Sequence, residues 1–122
     1  MSKVLVVEDD SDIRRLLEIR LARMGHTVIS VPSADDAQEA IRRYGVPDLV
    51  VLDIVMHGTS GLELLRELRS SPEAQDLPVI LLTARDLQED QRVARELHAH
   101  LMQKPIEAAS LNRVLDQVLS AS

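Results

Sequence analysis

Four apolar runs in this chain each end at a side chain able to do chemistry. Val4-Leu5-Val6-Val7 leads into Glu8-Asp9-Asp10, Leu49-Val50-Val51-Leu52 into Asp53, Val79-Ile80-Leu81-Leu82 into Thr83, and Leu101-Met102-Gln103 into Lys104-Pro105. Carboxylates brought within a few ångströms raise one another's pKa and resist ionising together, a conflict that a divalent cation relieves. Oxygen donors suit Mg²⁺, with Mn²⁺ also possible, and Mg²⁺ usually takes one or two carboxylates together with water and phosphate oxygens. Aspartate is in addition a nucleophile that forms an aspartyl-phosphate. Phosphoryl transfer is catalysed mainly by positioning and by neutralising charge on the equatorial oxygens. A metal, the Lys104 ammonium and the Thr83 hydroxyl could each take one of them.

These residues meet only if the runs lie side by side. A continuous Val/Ile/Leu run without alternation reads as a strand buried on both faces, the signature of a parallel sheet covered by helices. Ligands in such sheets bind outside the carboxyl ends of the strands. Between the runs the period is helical. Ile13, Leu16, Leu17, Leu21 and Met24 predict a helix over about 11 to 24, stopped by Gly25, with Ser11 or Asp12 as its cap. A second strand follows over 26 to 31, then a helix opened by Ser33 and Asp36 that turns Ala37, Ala40, Ile41 and Tyr44 inward and ends at Gly45. Pro47 starts the third strand. Leu62, Leu64, Leu65 and Leu68 predict a helix from Ser60 to Ser70, and Pro78 opens the fourth strand. Residues 86 to 97 are mostly charged, with Leu87, Val93, Ala94 and Leu97 to bury, so this helix should be the least firmly packed. Leu111, Val114, Leu115 and Val118 face inward on a last helix over 108 to 119. Five βα units with short connections predict an α/β fold: a doubly wound, five-stranded parallel sheet with right-handed crossovers and helices on both faces.

Composition narrows the function. A chain of 122 residues is of single-domain size, and none of its apolar runs approaches the roughly 20 residues that span a bilayer. With no cysteine there is no disulfide framework and no thiolate site, and with no signal-peptide pattern at the start the expected compartment is the cytoplasm. A net charge of −6 and one aromatic residue, Tyr44, argue against nucleic-acid binding. Arg14-Arg15 and Arg42-Arg43 read as solvated helix faces. His57, His98 and His100 read as surface or loop residues, and Met56 and Met102 as core.

The set VLVVEDD, LVVLDIVM followed by Gly61, ILLTA and QKP, in this order and spacing, resembles the receiver domain of bacterial two-component response regulators, chiefly the single-domain, chemotaxis-like kind. The resemblance runs from the first strand to the last helix and implies a (βα)5 flavodoxin-like fold with strand order 2-1-3-4-5 and one receiver domain over 1–122 without an effector domain. It implies that Asp53 is the phosphoacceptor, that Asp9 binds Mg²⁺ directly and Glu8 through water, and that Asp53 and the Val55 carbonyl complete the metal site. Thr83 would hydrogen-bond the phosphoryl group and Lys104 would pair with it, next to a cis peptide before Pro105. The implied partners are a sensor histidine kinase or a His phosphotransfer protein, and a downstream protein target.

Departures from the family pattern are local. His57 stands where the family has Pro, and Ser60 where it has Asp, although Gly58 and Gly61 keep the loop's small residues. Leu101 takes the place of the aromatic switch residue, and His98-Ala99-His100 replaces an acidic stretch. The expected function is a phosphoacceptor signalling module, or alternatively a phosphorelay intermediate sharing every site residue. A metal-dependent Asp-nucleophile phosphatase lacks its general acid, since Val55 stands two residues after Asp53. A receiver that signals without phosphate fits the intact acidic set less well.

Overall fold

A computed structural model describes residues 2–56 and 60–120. Strands and helices alternate as β1 (Lys3–Val7), α1 (Ser11–Arg23), β2 (Thr27–Val31), α2 (Ala34–Tyr44), β3 (Leu49–Asp53), α3 (Gly61–Ser70), β4 (Val79–Thr83), α4 (Gln88–Glu96), β5 (His100–Gln103) and α5 (Ala108–Ser120). The five strands form one parallel sheet in the order β2-β1-β3-β4-β5. Register sets the reactive positions side by side. Val7 pairs with Leu52, Asp53 with Leu82, and Thr83 with Gln103.

Alternation along each strand sends side chains to opposite faces, and here both faces are apolar. Leu5, Val7, Val50, Leu52 and Leu81 pack against Ala37 of α2, Leu64, Leu65 and Leu68 of α3, and Ala94 of α4. Val4, Val6, Val51, Ile80 and Leu82 pack against Leu17 and Leu21 of α1 and Leu111, Val114 and Leu115 of α5. Met56 and Met102 are buried, one in each layer. No helix among the described residues is long and apolar enough to cross a membrane.

Several boundaries differ from the sequence reading for identifiable reasons. The α1 cap is Asp10, whose carboxylate accepts from the N–H groups of Asp12 (2.9 Å) and Ile13 (3.0 Å), so neither Ser11 nor Asp12 fills that role. β3 begins at Leu49, two residues after Pro47. In the lead-in the Asp48 carboxylate, rather than a strand carbonyl, takes the Lys3 N–H at 2.8 Å. Tyr44 is not an inward residue. It ends α2 with 58% of its surface exposed, lining an apolar groove with Ile29, Ile41 and Pro47. Leu87 is exposed as the uncapped N-cap of α4, while Leu97 and Val118 are half-buried. Gly25 and Gly45 close α1 and α2 at φ of 92° and 90°, a conformation costly for any residue with a Cβ. The Lys104-Pro105 peptide is cis.

Candidate functional site

Beyond the end of β1, the Glu8 N–H donates to the Val31 carbonyl (3.1 Å), and the Glu8 carbonyl accepts from Arg14 Nη1 (2.9 Å). Main chain and α1 thereby fix a carboxylate that is fully buried. Asp53, the last residue of β3, is 4% exposed, and its Oδ1 accepts from the Val55 N–H at 3.3 Å. Lys104 reaches across from β5 and donates to Glu8 Oε1 (2.7 Å) and Asp53 Oδ2 (3.2 Å). Its backbone N–H bonds the Thr83 carbonyl (2.7 Å), so strand pairing itself carries the ammonium to the carboxylates. Half-buried Asp9 completes a group in which Glu8, Asp9 and Asp53 each bring an oxygen within 4.8 Å of the others.

Burial pushes the Glu8 carboxyl up to about 7, and the neighbouring Asp53 carboxylate adds to the rise, while Lys104 offsets part of it. Burial also works against the Lys104 ammonium. The hydrogen bond to Glu8 and the field of Asp53 outweigh it, and the net shift is upward. Lys104 therefore keeps its proton and the strain falls on Glu8. Among the described residues Glu8 Oε2 is buried without a hydrogen-bond partner, which a buried polar atom rarely tolerates. Three carboxylates, one ammonium and an orphaned buried oxygen fit a hard divalent cation such as Mg²⁺ or Mn²⁺.

Gly61 is dictated by the same region. The N-terminus of α3 closes over the end of β3, and the Gly61 N–H donates to the Ile54 carbonyl (3.0 Å). A Cβ there would lie 2.0 Å from the Asp53 carbonyl oxygen, so a side chain would displace the residue it abuts.

The remaining expected site residues are less closely joined. Val55 is exposed and touches the site through its N–H. Thr83 is buried at the end of β4, but its hydroxyl turns to its own loop, accepting from the Arg85 N–H (2.9 Å) and donating to the Arg85 carbonyl (3.3 Å). His98 and His100 are exposed, and His57 and Gly58 lie outside the described residues. Leu101 is half-buried against the layer that includes Leu81 and Ala94.

Sequence reasoning missed two residues. Arg14, read as solvated, braces Glu8. Asp90, in a run read as charged surface, is 2% exposed and held by Arg85 through both carboxylate oxygens. A signal was available, since Asp90 lies three and four residues before Val93 and Ala94 and so shares their inward face.

Comparison with known proteins agrees with this arrangement. Residues 4–116 match the family described as response regulator receiver domain. The transcriptional regulatory protein AfsQ1 of Streptomyces coelicolor is 38% identical over 122 residues, covering 99% of this chain and 51% of that protein. Protein PilH of Pseudomonas aeruginosa is 30% identical and is matched over 99% of its length, with 98% of this chain covered. A crystal structure of a putative response regulator from Chloroflexus aurantiacus superposes with a TM-score of 0.90 at 27% identity, covering 98% of both chains. The chain spans about half or less of the length of the transcriptional and two-component regulators first among its matches.

Proposed function

Because the chain belongs to the response regulator receiver domain family, we propose that it is a phosphoacceptor signalling module of a two-component system, with Asp53 as the acceptor. The observation that carries this reading is the placement of Asp53, buried at the end of the central strand beside the Glu8–Asp9 pair and bonded by the Lys104 ammonium that also bonds Glu8. An Asp53 carboxylate oxygen attacks the phosphorus of a phosphohistidine on a sensor kinase. The P–N bond breaks, the imidazole leaves with the electron pair, and an acyl phosphate forms on Asp53. Glu8, Asp9, Asp53 and the Val55 carbonyl are the residues that would hold Mg²⁺, which when bound supplies positive charge to the phosphoryl oxygens. Lys104 is placed to pair with one of those oxygens. Thr83 must leave its bonds to Arg85 to reach another.

A docking surface for the phosphodonor lies beside the acceptor. Ile13, Leu16 and Leu17 of α1, with Pro105 and Ile106, line an apolar groove that also includes Lys104, and Leu16 and Ile19 are exposed. Arg20 ties α1 to the Ile106 carbonyl and so keeps the two walls together. Output through protein contacts fits the acidic surface charge better than direct nucleic-acid binding.

Incubation with acetyl phosphate and Mg²⁺ should add the mass of one phosphoryl group, abolished by EDTA and by Asp53→Asn. Equal labelling of that variant places the acceptor elsewhere. Onward transfer to a His phosphotransfer protein would identify a phosphorelay intermediate.

A further inference from the structure

The β4–α4 segment carries an ion pair that the acceptor chemistry does not use. Asp90, in the first turn of α4, is 2% exposed, and Arg85 donates to its two oxygens through Nε (3.1 Å) and Nη2 (2.8 Å). The same Arg85 is bonded through its main chain to the Thr83 hydroxyl, as donor at 2.9 Å and as acceptor at 3.3 Å. One residue therefore holds Thr83 with its backbone and α4 with its side chain. At its far end the helix is tied by Arg69, which donates from Nε to the Leu97 carbonyl (2.7 Å), but its N-terminal end has little besides this pair. Its N-cap, Leu87, makes no side-chain cap hydrogen bond, and besides Asp90 it buries only Val93 and Ala94.

The bidentate geometry fixes the orientation of Arg85, and a buried acid cannot lose its cation without a large penalty. As long as the pair holds, the loop carbonyl and N–H that occupy the Thr83 hydroxyl stay in place. We propose that Arg85 and Asp90 are positioning residues that keep the Thr83 hydroxyl turned to its own loop, so that their ion pair sets how readily Thr83 turns to a phosphoryl group on Asp53. The proposal rests on the reading of Asp53 as acceptor. A pair present in the resting arrangement and broken in the phosphoryl-bound one opposes phosphoryl binding by its own free energy, and removing it shifts the population toward the bound form.

Beryllofluoride, a phosphoryl mimic, titrated in Mg²⁺ into the wild type, Arg85→Gln, Asp90→Asn and Arg92→Gln tests this. Arg92 bridges Glu89 and Glu96 on the exposed side of the same helix and serves as control. Arg85→Gln and Asp90→Asn should each bind beryllofluoride roughly 5-fold more tightly, the double variant should gain less than the product of the two, and Arg92→Gln should match the wild type. A pair with a merely structural role lowers the melting temperature and leaves affinity unchanged, so unchanged or weakened affinity in folded Arg85→Gln overturns the proposal even if Asp90→Asn does not fold. Failure of the wild type itself to bind beryllofluoride overturns the acceptor reading beneath it.

Discussion

At the ends of β1 and β3 the charged side chains are enclosed and share partners, with Lys104 touching both Glu8 and Asp53 and Arg14 bracing the Glu8 backbone. At the end of β4 the Thr83 hydroxyl is satisfied by its own turn, and the N-terminal end of α4 is held by one ion pair, with only Val93 and Ala94 as buried apolar residues of the helix. The first region is fixed before any ligand arrives, at the cost of crowded carboxylates. The second is secured by contacts that a modest free energy can exchange. Chemistry needs the former, because a misplaced acceptor loses rate steeply. Signalling needs the latter, because an element must have two arrangements close in energy before a modification can choose between them.

The difference is open to attack from its rigid side. Gly61→Val drives a side chain into the Asp53 carbonyl, and with no room to yield it should cost on the order of 3 kcal/mol and abolish labelling by acetyl phosphate. Thermal unfolding alongside labelling checks both, and a variant with normal stability and labelling would mean that this end of the sheet is as adaptable as the other.

The crowding of the carboxylates gives the next largest effect. Glu8 has its folded-state value raised from 4.5 to about 7, so the folded protein holds a proton that the unfolded chain releases. The Glu8 contribution to stability without metal, at most roughly 3 kcal/mol, is then fully present below pH 4.5, is lost through the window from 4.5 to about 7, and is absent above it. Glu8→Gln should flatten that slope in melting curves. Since a bound cation needs the ionised carboxylate, Mg²⁺ should raise the melting temperature more at about pH 8 than at about pH 6. Asp9→Ala should remove most of the Mg²⁺ effect, and a shift that survives intact would put the ion at another site.

The smallest effect belongs to the β4–α4 side. Leu101 is half-buried against Ala94 and Leu81, and Leu101→Ala should lower stability by roughly 1 kcal/mol while leaving the Mg²⁺-induced shift in melting temperature unchanged. A Mg²⁺ response altered by that substitution would show that the two regions are coupled even without phosphate.

What the sequence discloses follows the same division. Strands buried on both faces leave uninterrupted apolar runs, so β1, β3 and β4 and the residues at or just past their ends, Glu8, Asp53 and Thr83, stand out without a structure. Lys104 follows a weaker signal, since β5 buries only Met102 and is exposed at both ends. The choice among Asp10, Ser11 and Asp12 as cap does not stand out, because all three types cap well and the local backbone decides. Asp90 is hidden for a different reason. Periodicity counts an acid as surface, and only the loop that swings Arg85 back onto it makes its burial tolerable. Tyr44 keeps the spacing of an inward residue, but it is the last residue of α2 and lies mostly in solvent along the groove.

The central claim is that the phosphoryl group resides on Asp53. Reduction of the acetyl-phosphate-treated protein with borohydride converts an aspartyl-phosphate to homoserine, and peptide mapping then locates the modified position. Homoserine at position 53 alone, dependent on Mg²⁺, is the predicted result. Homoserine at position 9 or 10, with Asp53 unmodified, would contradict it.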